Sequence, residues 1–386
     1  MKIIKKILIN ILLISISVLF SLLIGEGIIR IFCDPVDYLE PEMISDDILR
    51  FKIKPNSAGH DAWGYRNKSI PKKADIVTIG DSQTYGISAT ASNSWPSYLQ
   101  KVSQKKVYNL SLGGYGPMEY FYLLQTKALL LNPSAVIVGF YYGNDLSDAY
   151  SSVYGVDHWK ELRKIKSETE KQQEQNQIKE VGIVKDMAIG DRQIGGHVRE
   201  WLVQHSVLYR MAAFSIGDIF RFMEMKYFYP DKDITIYEDK KNNIHTGFNP
   251  SRRLNGLNLQ NPNVKEGLSI SLDIFDKMKQ LCLSKNIKFS VVLIPTKETV
   301  YGNYVENNTV LKNADAINSL ISNERAINTA VKTYFAEHDI KYIDPLDSMK
   351  IILNKTPLYP NNIGDHPVKE GYQVIANVVK QTLKNN

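Results

Sequence analysis

The chain has 386 residues, of which 44% are hydrophobic and 23% are charged, as in ordinary globular proteins. This composition excludes a wholly disordered or collagen-like protein, and two cysteines cannot form a disulfide framework. Neither CxxC nor HExxH occurs, so the sequence carries no zinc signature. The net charge is only +6, and half of it lies in residues 1–33, which argues against a nucleic-acid-binding protein.

The amino terminus has the pattern of a membrane anchor. Lys2, Lys5 and Lys6 precede an apolar run from Ile7 to Ile24. As a helix this run would span about 27 Å, close to the thickness of the hydrocarbon core of a bilayer. The residues that follow are a poor match to the small-x-small site of a cleaved signal peptide. We therefore favour an uncleaved anchor in residues 1–33, with a cleaved signal as the alternative.

Charges on the two sides of the apolar run predict its orientation. The lysines precede the run, whereas Asp34, Asp37, Glu40 and Glu42 follow it. The positive-inside rule then places the amino terminus in the cytoplasm and residues 34–386 outside. The prediction is a single-pass membrane protein with an extracytoplasmic domain.

After the anchor, short apolar runs alternate with amphipathic stretches. Residues 34–74 are rich in turns, and we predict a tether and a loop that leads into the first strand. The strand candidates are Ile76–Ile79, Val107–Leu112, Ala135–Tyr141, Ile287–Ile294 and Ile340–Ile343. The helix candidates are Trp95–Ser103, Met118–Leu131, Val264–Ser284, Ala314–His338 and Lys369–Leu383. Apolar strands that alternate with helices predict an α/β fold with a mainly parallel five-stranded sheet, covered on both faces.

Residues from about 150 to 262 interrupt this alternation. We predict an insertion between the third and fourth strands of a single domain that spans residues 75–386. Within it, Glu161–Glu180 is almost entirely charged or amide, which is typical of a solvated helix or a mobile lid. Trp201–Met225 has a helical pattern, and Phe228–Pro262 is loop-like.

Residues suited to nucleophilic catalysis follow the first three predicted strands. Ser82 comes directly after the first strand, Gly113 and Gly114 after the second, and Asn144 after the third. The carboxyl ends of strands in an open α/β sheet form its ligand crevice, so we expect these residues to meet at one edge. A serine there can act as a nucleophile, and backbone or amide N–H groups can stabilise an oxyanion. His366 precedes the last helix, from where it can reach the crevice as a general base.

Each of these features alone is typical of an ordinary turn, and their order along the chain is what makes them specific. Together they resemble the SGNH hydrolases, also called GDSL-type hydrolases, and more narrowly the bacterial membrane-anchored members. The resemblance covers residues 1–150 and about 264–386. Its motifs are Glu26 and Arg30 at the end of the anchor, Gly64-Tyr65-Arg66, Gly80-Asp81-Ser82, Asn109-x-Ser111-x-x-Gly114, Gly143-Asn144-Asp145 and Asp365-His366.

The resemblance implies a flavodoxin-like three-layer sandwich, the SGNH hydrolase fold. It also implies a serine esterase that cleaves or transfers a short acyl group, such as an O-acetyl group on a glycan of the bacterial envelope or an exported glycan. Ser82 would be the nucleophile and His366 the general base. The backbone N–H groups of Ser82 and Gly114 and the side chain of Asn144 would form the oxyanion hole.

The partners that the resemblance implies are an acylated small molecule or glycan and, through the amino-terminal helix, a membrane. It implies no nucleic acid and, because side chains and backbone donors suffice for the mechanism, no metal and no cofactor.

The acid of the triad departs from the family pattern. The family usually places it three residues before the histidine, where this chain has Ile363, whereas Asp365 is adjacent to His366. Neighbouring side chains in an extended loop point apart, so Asp365 can orient the imidazole only if the loop turns tightly. A backbone carbonyl or another carboxylate such as Asp344 could replace it, or the enzyme could work as a Ser–His dyad.

Three further points stay open at this level. Gly113 replaces Gly114 as an oxyanion donor if the register is shifted by one residue. Lys297, just after the fourth strand, belongs either to a solvated loop or to the rim of the crevice. The displaced acid also supports an alternative function, a catalytically inactive SGNH-fold protein that binds glycans or serves as a scaffold.

Overall fold

A computed structural model describes residues 2–164, 196–213, 233–242, 244–306 and 308–385 of the chain. Its strands are β1 (Met43–Asp46), β2 (Arg50–Ile53), β3 (Ile76–Gly80), β4 (Val107–Ser111), β5 (Ala135–Tyr141), β6 (Thr235–Asp239), β7 (Ile244–Phe248), β8 (Lys288–Ile294) and β9 (Tyr342–Ile343).

Its α-helices are α1 (Lys2–Phe32), α2 (Ser82–Tyr85), α3 (Trp95–Ser103), α4 (Pro117–Thr126), α5 (Asp145–Gly155), α6 (Gly196–His205), α7 (Ser251–Leu254), α8 (Pro262–Leu283), α9 (Lys297–Val300), α10 (Gly302–Val305), α11 (Ala314–Glu337), α12 (Leu346–Leu353) and α13 (Lys369–Asn385). Short 3₁₀ turns and loops connect them.

The centre of the domain is a five-stranded sheet in the order β4-β3-β5-β8-β9. Every neighbouring pair is parallel; Ile79 of β3, for example, lies between Leu110 of β4 and Val138 of β5. Counted along the chain, the strand order is 2-1-3-4-5, which is the flavodoxin-like order. The predicted α/β fold with a mainly parallel five-stranded sheet is therefore confirmed.

The two faces of the sheet bury two separate groups of side chains. On β5, Val136, Val138 and Phe140 pack with α4, α5 and α8, whereas Ala135, Ile137 and Tyr141 pack with α3, α12 and α13. This division follows from the period of two residues along a strand, and burial on both faces explains the continuous apolar runs. Helices on both faces make the domain a three-layer sandwich.

Helix α1 is long and apolar enough to cross a membrane, and its apolar side chains are exposed. A signal sequence near an amino terminus meets the same criteria of length and hydropathy. Near its carboxyl end, Glu26 accepts hydrogen bonds from the backbone N–H groups of Val207 and Leu208, both at 2.9 Å. Arg30 donates to the carbonyl of His205. The end of α1 therefore contacts the predicted insertion.

Part of the segment expected to be a tether and a leading loop packs against the domain. Its strands β1 and β2 form an antiparallel hairpin, and Leu49, Ile53 and Tyr65 join the buried core. This packing brings the hairpin close to the carboxyl edge of the sheet, where it contacts the candidate site. The proposed boundaries of the segments, 1–33, 34–74 and 75–386, stay predictions.

The loop-like interpretation of residues 228–262 is wrong, because β6 and β7 in this range form an antiparallel hairpin. The hairpin is stabilised by burial of Ile244 and Phe248, which local patterning did not indicate. Helix α6 and a second helical segment at 207–213 account for the described part of the predicted helix from Trp201. Most of Glu161–Glu180 lies outside the described residues.

Candidate active site

Three of the predicted site residues meet at the carboxyl edge of the sheet. Oγ of Ser82 lies 2.8 Å from Nε2 of His366, although 284 positions separate the two residues in the chain. Nδ1 of the same imidazole lies 3.0 Å from Oδ1 of Asp365. The three side chains therefore lie in one line of close contacts, with a hydrogen bond between Ser82 and His366 and an ion-pair distance between His366 and Asp365.

Ser82 is presented by the tight turn that follows β3. Asp81 caps the one-turn helix α2, and its Oδ1 accepts the N–H of Gln83 at 2.9 Å. Gly86 ends this helix with φ +91°, a backbone conformation that glycine adopts without strain. Oδ2 of Asp81 also lies 3.3 Å from Oγ of Ser82, a longer contact than the one to His366. Asp81 thus serves the turn, as its capping position predicts.

The loop that carries Asp365 and His366 is held in a turned conformation. Lys297, which is only 1% exposed, donates from Nζ to the carbonyls of Pro360, Asn362 and Gly364 at 3.3, 2.7 and 3.0 Å. Nε2 of Gln83 lies 3.3 Å from the carbonyl of Asp365. These contacts allow the adjacent Asp365 to reach the imidazole, which an extended loop would not permit.

The other candidates for the acid lie elsewhere. Asp344 pairs with Nζ of Lys332 and accepts the N–H of Leu346 at 2.9 Å. Ile363 stands where SGNH hydrolases usually have the acid, and its apolar side chain cannot replace a carboxylate. It packs against β7, where a Cβ built at Gly247 would lie 3.1 Å from Cγ2 of Ile363. The geometry therefore favours Asp365 among the alternatives that the sequence leaves open.

Burial makes the imidazole of His366 hard to protonate. It lowers the pKa of His366 to about 4; the charges of Arg253 and Arg252 lower it further, and that of Asp81 opposes them. At neutral pH the ring is thus uncharged and its Nε2 can accept the proton of Ser82. Burial raises the pKa of Asp81 to about 6, so this carboxyl group titrates in a different range from His366.

The crevice also holds free hydrogen-bond donors. Within the described part of the chain, the backbone N–H groups of Ser82, Gly113 and Gly114 have no acceptor. Gly114 has φ +81°, and a Cβ built at Gly113 would lie 3.4 Å from Cβ of Ser82, so both glycines allow close approach. One N–H of the Asn144 amide donates to Oδ2 of Asp148 at 2.6 Å. No acceptor for the other N–H of this amide is present among the described residues, and an oxyanion hole needs such a donor.

The loop that contains Gly113 and Gly114, here called the glycine loop, is held in place by Arg50 of the β1–β2 hairpin. Arg50 donates from Nη2 to the carbonyl of Gly114 at 2.5 Å and from Nε to Glu119 at 2.9 Å. The buried Glu119 in turn accepts the N–H of Gly116 at 3.0 Å. These contacts hold the loop rigidly beside Ser82, so its N–H groups do not need to reorganise around a charged intermediate.

Three residues around the site were missed or misinterpreted at the level of sequence. Lys297 is neither solvated nor at the rim of the crevice. It is buried under residues 360–366, here called the histidine loop. Asn144 caps α5 and Asp148 lies one turn into that helix, a spacing of four residues that could have revealed the pair. Arg253, which contacts Asp365, lies 112 positions away in a segment that had been interpreted as a loop, and no local signal identifies it.

Among the described residues, no cluster of three or more His, Cys, Asp or Glu side chains is arranged to hold a metal ion.

No protein-family model matches the chain, and no curated protein sequence matches it. Solved structures that align with it include one described as an acylhydrolase from Bacteroides fragilis, with 12% identity, a TM-score of 0.37, and coverage of 82% of this chain and 90% of that one. A protein described as lipolytic and of the G-D-S-L family, from Desulfitobacterium hafniense, aligns at 13% identity and a TM-score of 0.37, over 81% of this chain and 99% of its own.

A catalytic mutant of an acetylxylan esterase from Geobacillus stearothermophilus aligns at 11% identity and a TM-score of 0.37, over 81% of this chain and 94% of its own. At these low values the similarities carry no argument about activity, which depends on the geometry of the site.

Proposed function

We propose that the protein is a membrane-anchored serine esterase of the SGNH type. The observation that carries this proposal is the line of contacts from Oγ of Ser82 through the His366 imidazole to Asp365, at 2.8 and 3.0 Å. This is the spacing that a hydroxyl nucleophile, its general base and the orienting acid need. The unpaired donors beside Ser82 add the site for a developing oxyanion.

In the first half of the reaction, Oγ of Ser82 attacks the carbonyl carbon of the ester and its proton passes to Nε2 of His366. Asp365 accepts a hydrogen bond from Nδ1–H and stabilises the imidazolium that forms. The carbonyl oxygen becomes an oxyanion that accepts hydrogen bonds from the N–H groups of Ser82, Gly114 or Gly113, and Asn144. When the intermediate collapses, the alkoxide leaves with the proton from Nε2 and an acyl-serine remains.

In the second half, the acyl group leaves Ser82. A water molecule gives a proton to Nε2 of His366 and attacks the acyl carbon, and collapse of this second intermediate restores the serine hydroxyl and releases the acid. A sugar hydroxyl in place of water would instead yield a new ester, which is acyl transfer. The catalytic groups are the same in both cases.

The substrate that we propose is a short acyl ester, such as an O-acetyl group, on a glycan of the bacterial envelope or an exported glycan. Helix α1 supports this choice, because an anchored enzyme with its domain outside the cytoplasm acts on substrates near the membrane. The resemblance of the motifs to membrane-anchored SGNH hydrolases supports it as well.

The alternative of an inactive glycan-binding or scaffold protein drew its support from the displaced acid. With Oδ1 of Asp365 at 3.0 Å from Nδ1 of His366, the position in the chain no longer argues against an active site. We therefore keep the esterase as the proposal.

The test is hydrolysis of 4-nitrophenyl acetate by the full-length protein in detergent micelles. Ser82→Ala and His366→Ala should each lose turnover by at least about 10³-fold, because the nucleophile or its base is removed. Ser92→Ala, at an exposed position ten residues away, is the matched control and should keep the parent rate. Turnover retained in Ser82→Ala, with circular dichroism matching that of the parent, would refute the proposal.

Hydrolysis and transfer are separated by product analysis with an acetylated glycan and an acceptor glycan. Free acetate alone indicates a hydrolase, whereas a newly acetylated acceptor indicates a transferase. Loss of both products in Ser82→Ala ties them to this site.

A further inference from the structure

The two oxygens of the Asp365 carboxylate have different partners. Oδ1 contacts Nδ1 of His366 at 3.0 Å, whereas Oδ2 pairs with Nη2 of Arg253. Arg253 lies on α7, inside the predicted insertion, and is only 5% exposed. A buried guanidinium from a different part of the chain thus contacts the acid of the candidate triad.

Arg253 is itself held in place from the other side. Its Nη1 lies 3.4 Å from Oε1 of Glu298, a residue of α9 that is 1% exposed. The planar guanidinium therefore bridges two carboxylates, one on α9, which follows β8, and one next to His366. Such a two-sided contact uses the rigid fork of arginine, which lysine does not have.

We propose that Arg253 is a positioning residue that holds the Asp365 carboxylate against His366, so that the predicted insertion completes the active site. The inference rests on the proposed esterase function and extends it to a residue that the SGNH motifs do not include. It also accounts for the unusual placement of the acid. Side chains of adjacent residues tend to point apart, and the guanidinium provides the contact that keeps Oδ1 turned towards the imidazole.

The pairing also meets an energetic requirement. A carboxylate that is largely shielded from water is costly to keep charged unless an opposite charge and hydrogen bonds compensate it. The imidazole contacts one oxygen of Asp365, and Arg253 supplies the opposite charge at the other. Without Arg253, the carboxylate would rotate towards solvent and lose its contact with Nδ1.

Arg252 provides a matched control. It is the neighbouring residue, it is exposed, and its charge also lowers the pKa of His366, but it has no contact with Asp365. Arg252→Met removes the same charge as Arg253→Met without removing the contact. A purely electrostatic role would make the two variants alike, whereas a positioning role affects only Arg253→Met.

The first experiment measures kcat/KM for 4-nitrophenyl acetate on the alkaline plateau with the full-length protein. Arg253→Met should lose about 10–100-fold, less than the roughly 10⁴-fold effect of disabling a triad acid, because Asp365 is still present. Arg253→Lys should recover part of the loss, and Arg252→Met should stay within about threefold of the parent. In an Asp365→Ala background, Arg253→Met should cause no further loss, because the two residues act as a unit.

Two results would overturn the proposal. One is an Arg253→Met variant within about threefold of the parent, and the other is an equal fold-loss with and without Asp365, which indicates a contact that only stabilises the fold. Urea denaturation followed by circular dichroism identifies a variant that fails to fold, and Arg253→Lys then carries the same comparisons.

A second readout does not require turnover. With ¹⁵N-labelled histidine, the Nδ1–H resonance of His366, assigned with His366→Gln, should be present in the parent and in Arg252→Met but lost through exchange in Arg253→Met. A resonance that persists in Arg253→Met would overturn the positioning role. Because Ser82→Ala tests catalysis separately, failure of the esterase proposal and failure of this inference give different results.

Discussion

Lowering the pH is the perturbation that most directly probes the environment of His366. A free histidine has a pKa of about 6.5, and burial lowers that of His366 to about 4. A shift of this size corresponds to about 3 kcal/mol by which the fold favours the neutral over the charged imidazole. Because the neutral ring is the form that accepts the proton of Ser82, activity should persist well below pH 6.

The size of the effect follows from the two titration curves. At about pH 5 an imidazole with a pKa of about 4 is mostly neutral, whereas one with a pKa of about 6.5 is roughly 3% neutral. We therefore expect kcat/KM at about pH 5 to stay within about twofold of its plateau, instead of falling about 30-fold. The assay is release of acid from a soluble ester, followed by NMR so that detection does not depend on pH.

Asp81 must be separated from this result, because its carboxyl group lies beside Ser82 and its pKa is raised to about 6 by burial. Asp81→Asn keeps an oxygen that can cap α2 and removes the titration, so the acid limb that remains belongs to His366. Circular dichroism at each pH shows that the fold is intact. An acid limb near pH 6.5 in Asp81→Asn would refute the reasoning, since it would mean that solvent or the Asp365 carboxylate offsets the effect of burial on the charged imidazole.

Three further predictions concern the oxyanion hole, the histidine loop and the sheet. Asn144→Ala should lower kcat about 10²–10³-fold in the ester assay, because one oxyanion donor is lost. Lys297→Met should lower the free energy of unfolding by about 2–4 kcal/mol, because the carbonyls of Pro360, Asn362 and Gly364 lose a buried charged donor. The control Lys341→Met, at an exposed position, should leave it unchanged. A Cβ at Gly139 would lie 2.1 Å from Oγ1 of Thr84, so Gly139→Ala should cost about 1–3 kcal/mol in urea denaturation.

Each of these predictions has a result that contradicts it. Undiminished kcat in Asn144→Ala would remove the amide from the oxyanion hole and leave the backbone donors. A Lys297→Met variant as stable as Lys341→Met would show that the three hydrogen bonds contribute nothing. For the sheet, Gly155→Ala is the control, because a Cβ there would meet no atom within 4 Å; equal stability of the two glycine variants would contradict the predicted clash.

Much of the architecture could be predicted from the sequence because a strand that is buried on both faces appears as a continuous apolar run. Ala135–Tyr141 is apolar at every position, and the strand is buried on both faces with the bounds that the sequence predicts. The positions of Ser82 and His366 relative to the strands were equally informative, since the carboxyl ends of parallel strands meet at one edge. The hairpin β6–β7 shows no such apolar run, because its stability depends on which distant residues pack against Ile244 and Phe248.

The sequence by itself determined the anchor-like apolar helix, the parallel sheet and the order of nucleophile, glycine loop, asparagine and histidine. Only the tertiary structure decided that Asp365 reaches Nδ1 of His366, that Lys297 is buried under the same loop, and that Arg253 contacts Asp365 from 112 positions away. The physical reason is that periodicity reports which face of an element is buried, whereas the partner of a buried charge depends on where distant segments meet.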